Sequence, residues 1–405
     1  MIQRLIHTIL KRRHFWRYAT FSEVAEIYMA SILRTIAISL GAVFMSVYLF
    51  KAGYSIVSIS LFWAAYFAAK SLVILPLAQL VALIGIKRSI LISNLLYIPS
   101  IACFMVLGEL GWWALIGTAL FQSVSAGLYD VAYLVGFSRV KSLECAGRQV
   151  ATMQMFEKLA RGISPLVAGM LALWIDPLAP IALSAVFLAF GAWPLLRSAE
   201  TMTTGFWLAP KGFPWSTALR SLLVQLPLGI DLYASDRAWS LFLVSLIFVA
   251  EDNQAYVAIG ALASLVLLIS LAAARMFGQL IDRRAGNQLL LWMALGDAAV
   301  HLARALTHTP MMAIGTNAAG EVVRTGYGMA FMRGMFDVAD RSGYRVLYIG
   351  LSQLLLNVGV ALAALLLAGL MLLLDSHYGF SAFYLLVAGL VIFLSLARFR
   401  VYAPR

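Results

Sequence analysis

Charge is what this chain has least of. Asp, Glu, Lys and Arg supply 12% of its 405 residues, about half the share a soluble domain uses to cover its surface. With 62% of the residues hydrophobic, the outer surface has to face lipid. Cysteine is nearly absent. Cys103 falls late in one apolar stretch and Cys145 in a basic loop on the other side, so the two cannot meet and no disulfide is expected. No HExxH, phosphate-binding glycine loop, CxxC or G-x-G-x-x-G occurs, nor a serine elbow. Those absences leave ATP coupling, zinc hydrolysis and dinucleotide chemistry without a motif. No cofactor, no metal and no enzymatic activity are expected.

What the chain has instead is long apolar runs. A membrane-spanning helix needs about 20 mostly apolar residues. Such stretches occupy roughly 27–50, 55–83, 88–108, 112–137, 149–175, 178–197, 222–250, 254–276, 287–307, 310–337, 344–374 and 378–397. The expected fold is all-α and integral to the membrane, with twelve transmembrane helices in two six-helix bundles. Residues 1–26 form a basic N-terminal segment whose Ile2, Leu5, Ile6 and Ile9 share a helical face, as in a surface-lying amphipathic helix. The N-terminal bundle covers 27–197, the connector 198–221, the C-terminal bundle 222–397 and a short tail 398–405.

The net charge of +12 could suggest nucleic acid, but its placement says otherwise. Arg4, Lys11, Arg12, Arg13, Lys87, Arg88, Arg139, Lys141, Arg148, Arg275, Arg283, Arg284, Arg341 and Arg345 all fall on one side of the alternating spans. The opposite loops carry Glu109, Asp176, Glu251, Asp252 and Asp375, with Lys51 among them. This is the positive-inside pattern. It puts both termini in the cytoplasm of a multi-pass protein of the plasma (inner) membrane, with no nucleic-acid partner.

Two equal halves invite a search for repetition. Segment 147–172 lies on 343–368 without gaps: Gly147 meets Gly343, Val150 meets Val346, Glu157 meets Gln353, Arg161 meets Asn357 and Ala168 meets Ala364. Polar positions coincide as well as apolar ones. The halves are expected to be parallel repeats about an axis along the membrane normal, the plan of many secondary transporters.

Two loop segments sharpen this. After the eighth stretch, GQLIDRRAG sets Gly278, Asp282 and Arg283 at the spacing of G-x-x-x-D-R; after the second, Gly85, Lys87 and Arg88 remain but Ala82 stands where the acid belongs. In the fifth stretch, Ser164-Pro165-Leu166-Val167-Ala168-Gly169 is a partial G-P-x-x-G-G. With these motifs the chain resembles the major facilitator superfamily. The resemblance implies a gating role for the two loops. Through Pro165 and Gly169 it also implies antiport, hence export. Small residues that let helices pack closely are the plain alternative for that element.

An ionised side chain at mid-bilayer costs roughly 2.5–3.5 kcal/mol on insertion scales. This chain places Arg34, Lys70, Lys158, Arg161, Arg237, Arg304 and Arg324 there, with Asp130, Glu157, Asp231, Asp236, Asp297 and Glu321. The numbers of each sign nearly balance, so pairing is expected. In the resembled fold, helices 1, 4, 7 and 10 line a central cavity. Here they hold Arg34; Tyr129, Asp130 and Tyr133; Tyr233 and Arg237; and Asn317, Glu321, Arg324 and Tyr327. Glu321 and Arg324 share a helix face, as do Glu157 and Arg161.

The substrate-binding candidates are thus Arg34, Tyr129, Tyr133, Tyr233, Arg237, Asn317, Glu321, Arg324 and Tyr327. Asp130, Glu157 and Arg161 are either a proton site or an interhelical clamp. Asp297, His301 and Arg304 form one stripe, either a structural network or a His–Asp proton relay. The function expected is proton-coupled export of a small anionic or amphiphilic solute by a monomer, through alternating access. A lipid or lysophospholipid flippase of the same fold, and a non-transporting receptor or scaffold, remain alternatives.

Overall fold

The computed structural model describes residues 21–140, 146–176, 178–192, 195, 204–248 and 254–403. The basic segment 1–20 and Cys145 lie outside them, as do the side chains of Tyr28, Arg161 and Pro165. Among the described residues there are helices and no strands. The long ones are α1 (Phe21–Lys51), α2 (Ile56–Ile84), α3 (Ile86–Met105), α4 (Trp112–Val140), α5 (Ala146–Trp174) and α6 (Ala179–Ala192). After the connector come α7 (a composite beginning at Trp215–Leu223), α8 (Gln254–Asp282), α9 (Gly286–Ala305), α10 (Pro310–Ser342), α11 (Arg345–Leu373) and α12 (Ser376–Val391).

Five of these regions, 29–51, 56–84, 86–105, 345–373 and 376–396, are long and apolar enough to cross a membrane by length and hydropathy alone. α5, α9 and α10, which carry Lys158, Asp297, Arg304 and Glu321, are not among them, whereas α1 and α2, which carry the buried Arg34 and Lys70, are. The protein is an integral, multi-pass membrane protein whose ion-bearing helices depend on neighbours to mask their charge.

Local signals set the boundaries. Ser55 caps α2 by accepting a hydrogen bond from Ser58 N at 3.1 Å, and Thr309 caps α10 ahead of Pro310 in the first turn. Gly343, at φ +72°, closes α10 in the left-handed conformation that glycine adopts without strain. α7 departs from expectation. It starts at Trp215 rather than near 222, so the end of the connector is helical. It then runs through Gln225–Leu232, a π-helical turn Tyr233–Ala238, Trp239–Phe242 and a second π turn Leu243–Ile247. A π turn inserts an extra residue and re-aims the side chains around it, and such turns concentrate at functional sites.

The packing repeats itself. α1 packs on α5 and α6, α2 on α4, and α3 on α4 and α6. Six helices later, α7 packs on α11 and α12, α8 on α10, and α9 on α10 and α12. Between the halves the same symmetry holds: α5 lies along α8, and α11 lies along α2. The two segments that matched in sequence, in α5 and α11, therefore occupy equivalent places on opposite sides of the seam.

The α7–α11 crossing is closed by glycine. A Cβ on Gly229 would overlap the Leu356 carbonyl oxygen, and one on Gly359 would overlap that of Leu226. At one end of the seam, Phe137 of α4 packs against Phe336 of α10, ring centres 5.4 Å apart. At the other, Leu40 and Val47 of α1, Ala168 and Ala172 of α5 and Val244 of α7 form one apolar cluster. The small α5 residues thus bring helices of both halves together.

The connector is strapped to both halves. Gln79 of α2 receives a hydrogen bond from Leu208 N at 2.8 Å and donates to Phe206 O, and Tyr344 donates to Lys211 O. Tyr402 donates to Ala330 O at 2.8 Å, and Phe399 N donates to Asn287 Oδ1 at 3.0 Å, docking residues 399–402 on α9 and α10.

Candidate functional site

Three polar clusters occupy the middle of the helix assembly. The first spans the seam. Lys158 of α5 forms an ion pair with Glu321 of α10 and donates to Thr325 Oγ1 at 2.8 Å. Arg324 reaches Glu321 Oε2 at 2.6 Å and Asp236 Oδ1, on the π turn of α7, at 2.5 Å. Two cations and two acids are joined in one chain, Lys158–Glu321–Arg324–Asp236. Lys158 and Glu321 side chains are 8% and 12% exposed, yet Asp236 is 46% exposed. The seam network is therefore buried at its α5 end and open at its α7 end. Beside it, the Arg237 guanidinium lies 4.1 Å from the centre of the Trp63 ring of α2, a cation–π contact across the seam. Asn317 is half-buried on the same helix as Glu321.

The second cluster lies within the N-terminal half. Lys70 pairs with Asp130 Oδ2 at 2.6 Å, which puts a partner of Asp130 on α2. Asp130 is 33% exposed and Lys70 is buried. Tyr133 donates to Glu157 Oε1 at 3.0 Å, and the Tyr129 and Tyr133 rings stack at 5.4 Å. Arg34 is fully buried. Its guanidinium donates to Asn94 Oδ1 at 2.6 Å, Ser125 Oγ at 3.2 Å and Ser93 Oγ at 3.3 Å, and lies 4.2 Å from the Tyr129 ring centre. In this conformation Arg34 points into the α1–α3–α4 packing rather than toward the seam. Toward the seam it lies against the Tyr129–Tyr133 stack.

The third cluster lies within the C-terminal half. Asp231 of α7 accepts from Tyr327 of α10, from Ser235 Oγ at 2.8 Å, and lies 3.1 Å from His301 Nε2 of α9. Asp297 Oδ2 is 3.7 Å from the same Nε2. Arg304 donates to Ser235 Oγ at 2.8 Å and lies over the Trp239 ring. The ligating atoms of Asp231, Asp297 and His301 all fall within 4.8 Å of one another, close enough to share one ion. Tyr327 and Tyr233 are buried in this packing and do not line open space. The Asp297–His301–Arg304 stripe was visible as a spacing. That Asp231 completes it was not, because Asp231 lies 70 positions from His301.

The loop motifs sit at one end. Gly85 ends α2 at φ +94°, Lys87 is buried and Arg88 exposed. Gly278 is buried in α8, Asp282 is its last residue and Arg283 is exposed in the turn. In the α5 element Gly169 is buried, while the Pro165 and Arg161 side chains lie outside the described residues.

No family model matches the sequence, and no curated protein matches it significantly. Solved structures do. The human organic anion transporter MFSD10 (TETRAN) superposes with a TM-score of 0.68 at 13% identity, covering 94% of this chain and 100% of that one. A bacterial homologue of the iron transporter ferroportin, in an outward-facing state, gives 0.69 at 13% identity, with 95% and 98% covered. The E. coli fucose:proton symporter FucP gives 0.63 at 14%, with 94% and 98% covered. The chain has the major facilitator superfamily fold. That fold accounts for the repeated pairing above, with α5–α8 and α11–α2 as the contacts between repeats.

Proposed function

We propose that this protein is a secondary active transporter, with twelve membrane spans in two six-helix bundles that rock about the seam. The observation that carries this reading is the Lys158–Glu321–Arg324–Asp236 chain, which joins α5 of one half to α10 and α7 of the other. Ion pairs inside a dry interior gain little net stability over apolar packing. A set of them on a sliding interface serves as a latch that two conformations form and break. The openness of Asp236 and Asp130 favours an aqueous space, because lipid would penalise both.

The solute is small, organic, and anionic or amphiphilic. Arg237, Arg324 and Asn317 offer it polar contacts. Arg34 and Tyr129 act behind Tyr133 as positioning residues. Coupling is to protons, with Asp130 and Glu157 as carriers. The direction is export, on the helix-5 element alone, with the termini cytoplasmic, the loops of Gly85 and Gly278 as gates, and the monomer as the working unit. An organic anion transporter and a fucose:proton symporter share the fold; the first named activity agrees with an anionic solute and the second with proton coupling.

The test is uptake into proteoliposomes under an imposed pH gradient, screening organic anions and amphiphiles, with Asp130→Asn and Glu157→Gln in parallel. Gradient-driven transport should be lost in at least one variant. Full transport in both would reject the coupling assignment, and no transport of any solute would reject the function.

A further inference from the structure

The third cluster has a charge imbalance that the seam network lacks. In the seam, Lys158 and Arg324 balance Glu321 and Asp236. In the cluster, two acids, Asp231 and Asp297, face Arg304, whose hydrogen bond to the group runs through Ser235, and Arg324, the next cation along α10, is already shared between Glu321 and Asp236. Asp231, Asp297 and Arg304 are at most 2% exposed and His301 is 0% exposed. A lone uncompensated charge in such an interior costs several kcal/mol. One added proton brings the cluster to neutrality.

The geometry also shows where that proton would sit. His301 Nε2 stands between Asp231 Oδ1 at 3.1 Å and Asp297 Oδ2 at 3.7 Å. Asp297 Oδ2 and His301 Nδ1 are buried with no hydrogen-bond partner among the described residues. An empty acceptor on Asp297 aimed at a ring nitrogen is a place for a proton to be held. An imidazolium with an unsatisfied Nδ1–H would be a poor place to keep it. The other groups facing the cluster are Tyr327 from α10, donating to Asp231, and Tyr384 from α12, stacked on His301 at 5.9 Å. Arg324 and Glu321 lie one turn away along α10.

Asp231 also has a mechanical position. It lies just before the π turn Tyr233–Ala238, and Asp236 lies on that turn. The two acids thus flank one wide turn, Asp231 aimed into the half-bundle and Asp236 aimed at Arg324 on the seam. Ser235, within the turn, binds Asp231 and Arg304 together.

We propose that Asp231, Asp297 and His301 form a binding site for a single exchangeable proton, and that the Tyr233–Ala238 turn links its occupancy to the Asp236–Arg324 pair. The link rests on the transporter reading; the proton site itself does not. Loading places the proton on Asp297, which then donates toward Asp231, while His301 Nε2–H remains a donor to the Asp231 carboxylate. Release leaves a net negative cluster that draws Arg304 and the turn toward it.

The test is pH-difference infrared spectroscopy on the full chain in lipid, which needs no transport. A carbonyl stretch of a buried carboxylic acid, distinct from any that Asp130 and Glu157 contribute, should appear as pH falls. It should be lost in Asp297→Asn, and its midpoint should move by about one pH unit or more in His301→Gln, the size of shift a contacting titratable partner produces. If Asp297→Asn does not fold, an Asp130→Asn chain carrying 13C-carboxyl aspartate decides the matter: the band must persist there and move with the label. Bands that are lost only in Asp130→Asn or Glu157→Gln, with none lost in Asp297→Asn, overturn the proposal and leave the Asp130 and Glu157 assignment standing. So does a band removed at fixed pH by Zn2+, which would make the cluster a metal site. For the link, a Ser240→Cys thiol one turn beyond Asp236 should change its labelling rate with the midpoint of the band. A pH-independent rate beside an intact band would overturn the link while leaving the proton site standing.

Discussion

Replacing Lys158 by Met removes one end of the ionic chain across the seam. Glu321 keeps Arg324 at 2.6 Å, but Arg324 already serves Asp236 at 2.5 Å, so one cation is left for two acids. Breaking one partner of a buried pair costs about 3–5 kcal/mol, because the remaining charge stays desolvated. Glu321 is 12% exposed and retains a partner, so the lower end, about 3 kcal/mol, is expected. Glu321→Gln removes the shared acid from both Lys158 and Arg324 and should cost at least as much. The double variant Lys158→Met/Glu321→Gln leaves Arg324 and Asp236 balanced, and should be more stable than the sum of the single effects. The coupling energy expected from the cycle is about 1–3 kcal/mol, the range for side chains in direct contact. Reversible unfolding in mixed micelles gives it, and ligand-free accessibility labelling at both ends of the seam shows whether the conformational ratio moves too. A 1.4 kcal/mol bias is a tenfold shift in that ratio. A coupling below about 0.5 kcal/mol, the error of additivity for independent sites, would mean that the two residues do not meet, and the latch would be lost with them.

The same logic applies elsewhere. Asp130→Asn should lower stability by about 2 kcal/mol, less than the fully buried limit because Asp130 is partly exposed, and Lys70→Met should restore most of it; equal instability in the double variant would refute the pairing. Gly229→Ala and Gly359→Ala should each cost about 1–3 kcal/mol or more through overlap of α7 with α11, read as a lower Tm; an unchanged Tm would mean the helices do not cross so closely. Arg34→Met should lower Tm through the polar groups of Asn94, Ser93 and Ser125 left unsatisfied, about 1–3 kcal/mol together. A raised KM with an unchanged Tm would instead put Arg34 against the solute.

The helical stretches and the match of α5 with α11 were legible because both depend on local pattern. Apolar length fixes a helix, and the coincidence of Glu157 with Gln353 and of Arg161 with Asn357 already matched α5 with α11. Glu321–Arg324 was legible as a same-face spacing, and its ion pair is formed at 2.6 Å. What stayed hidden depends on contacts between helices. Lys158 and Glu321 are 163 positions apart, and Lys70 and Asp130 are 60 apart. No spacing rule joins them. Arg34 looked like a cavity residue because it is charged and on α1. Its burial depends on Asn94 and Ser125 lying opposite it, which only tertiary packing reveals. The π turns of α7 were equally invisible, since an extra residue in a helical turn leaves no mark on composition.

The rocking of the halves is tested most directly by electron–electron spin distances on two label pairs, both on exposed positions. One pair, Ala52→Cys with Met311→Cys, sits at one end of the seam; the other, Arg88→Cys with Gln288→Cys, sits at the opposite end. If the halves exchange access, changing pH across the protonation of the buried cluster lengthens one distance while shortening the other. Two single-valued distances that ignore pH and solute alike would contradict it, and would leave the seam as a fixed structural joint.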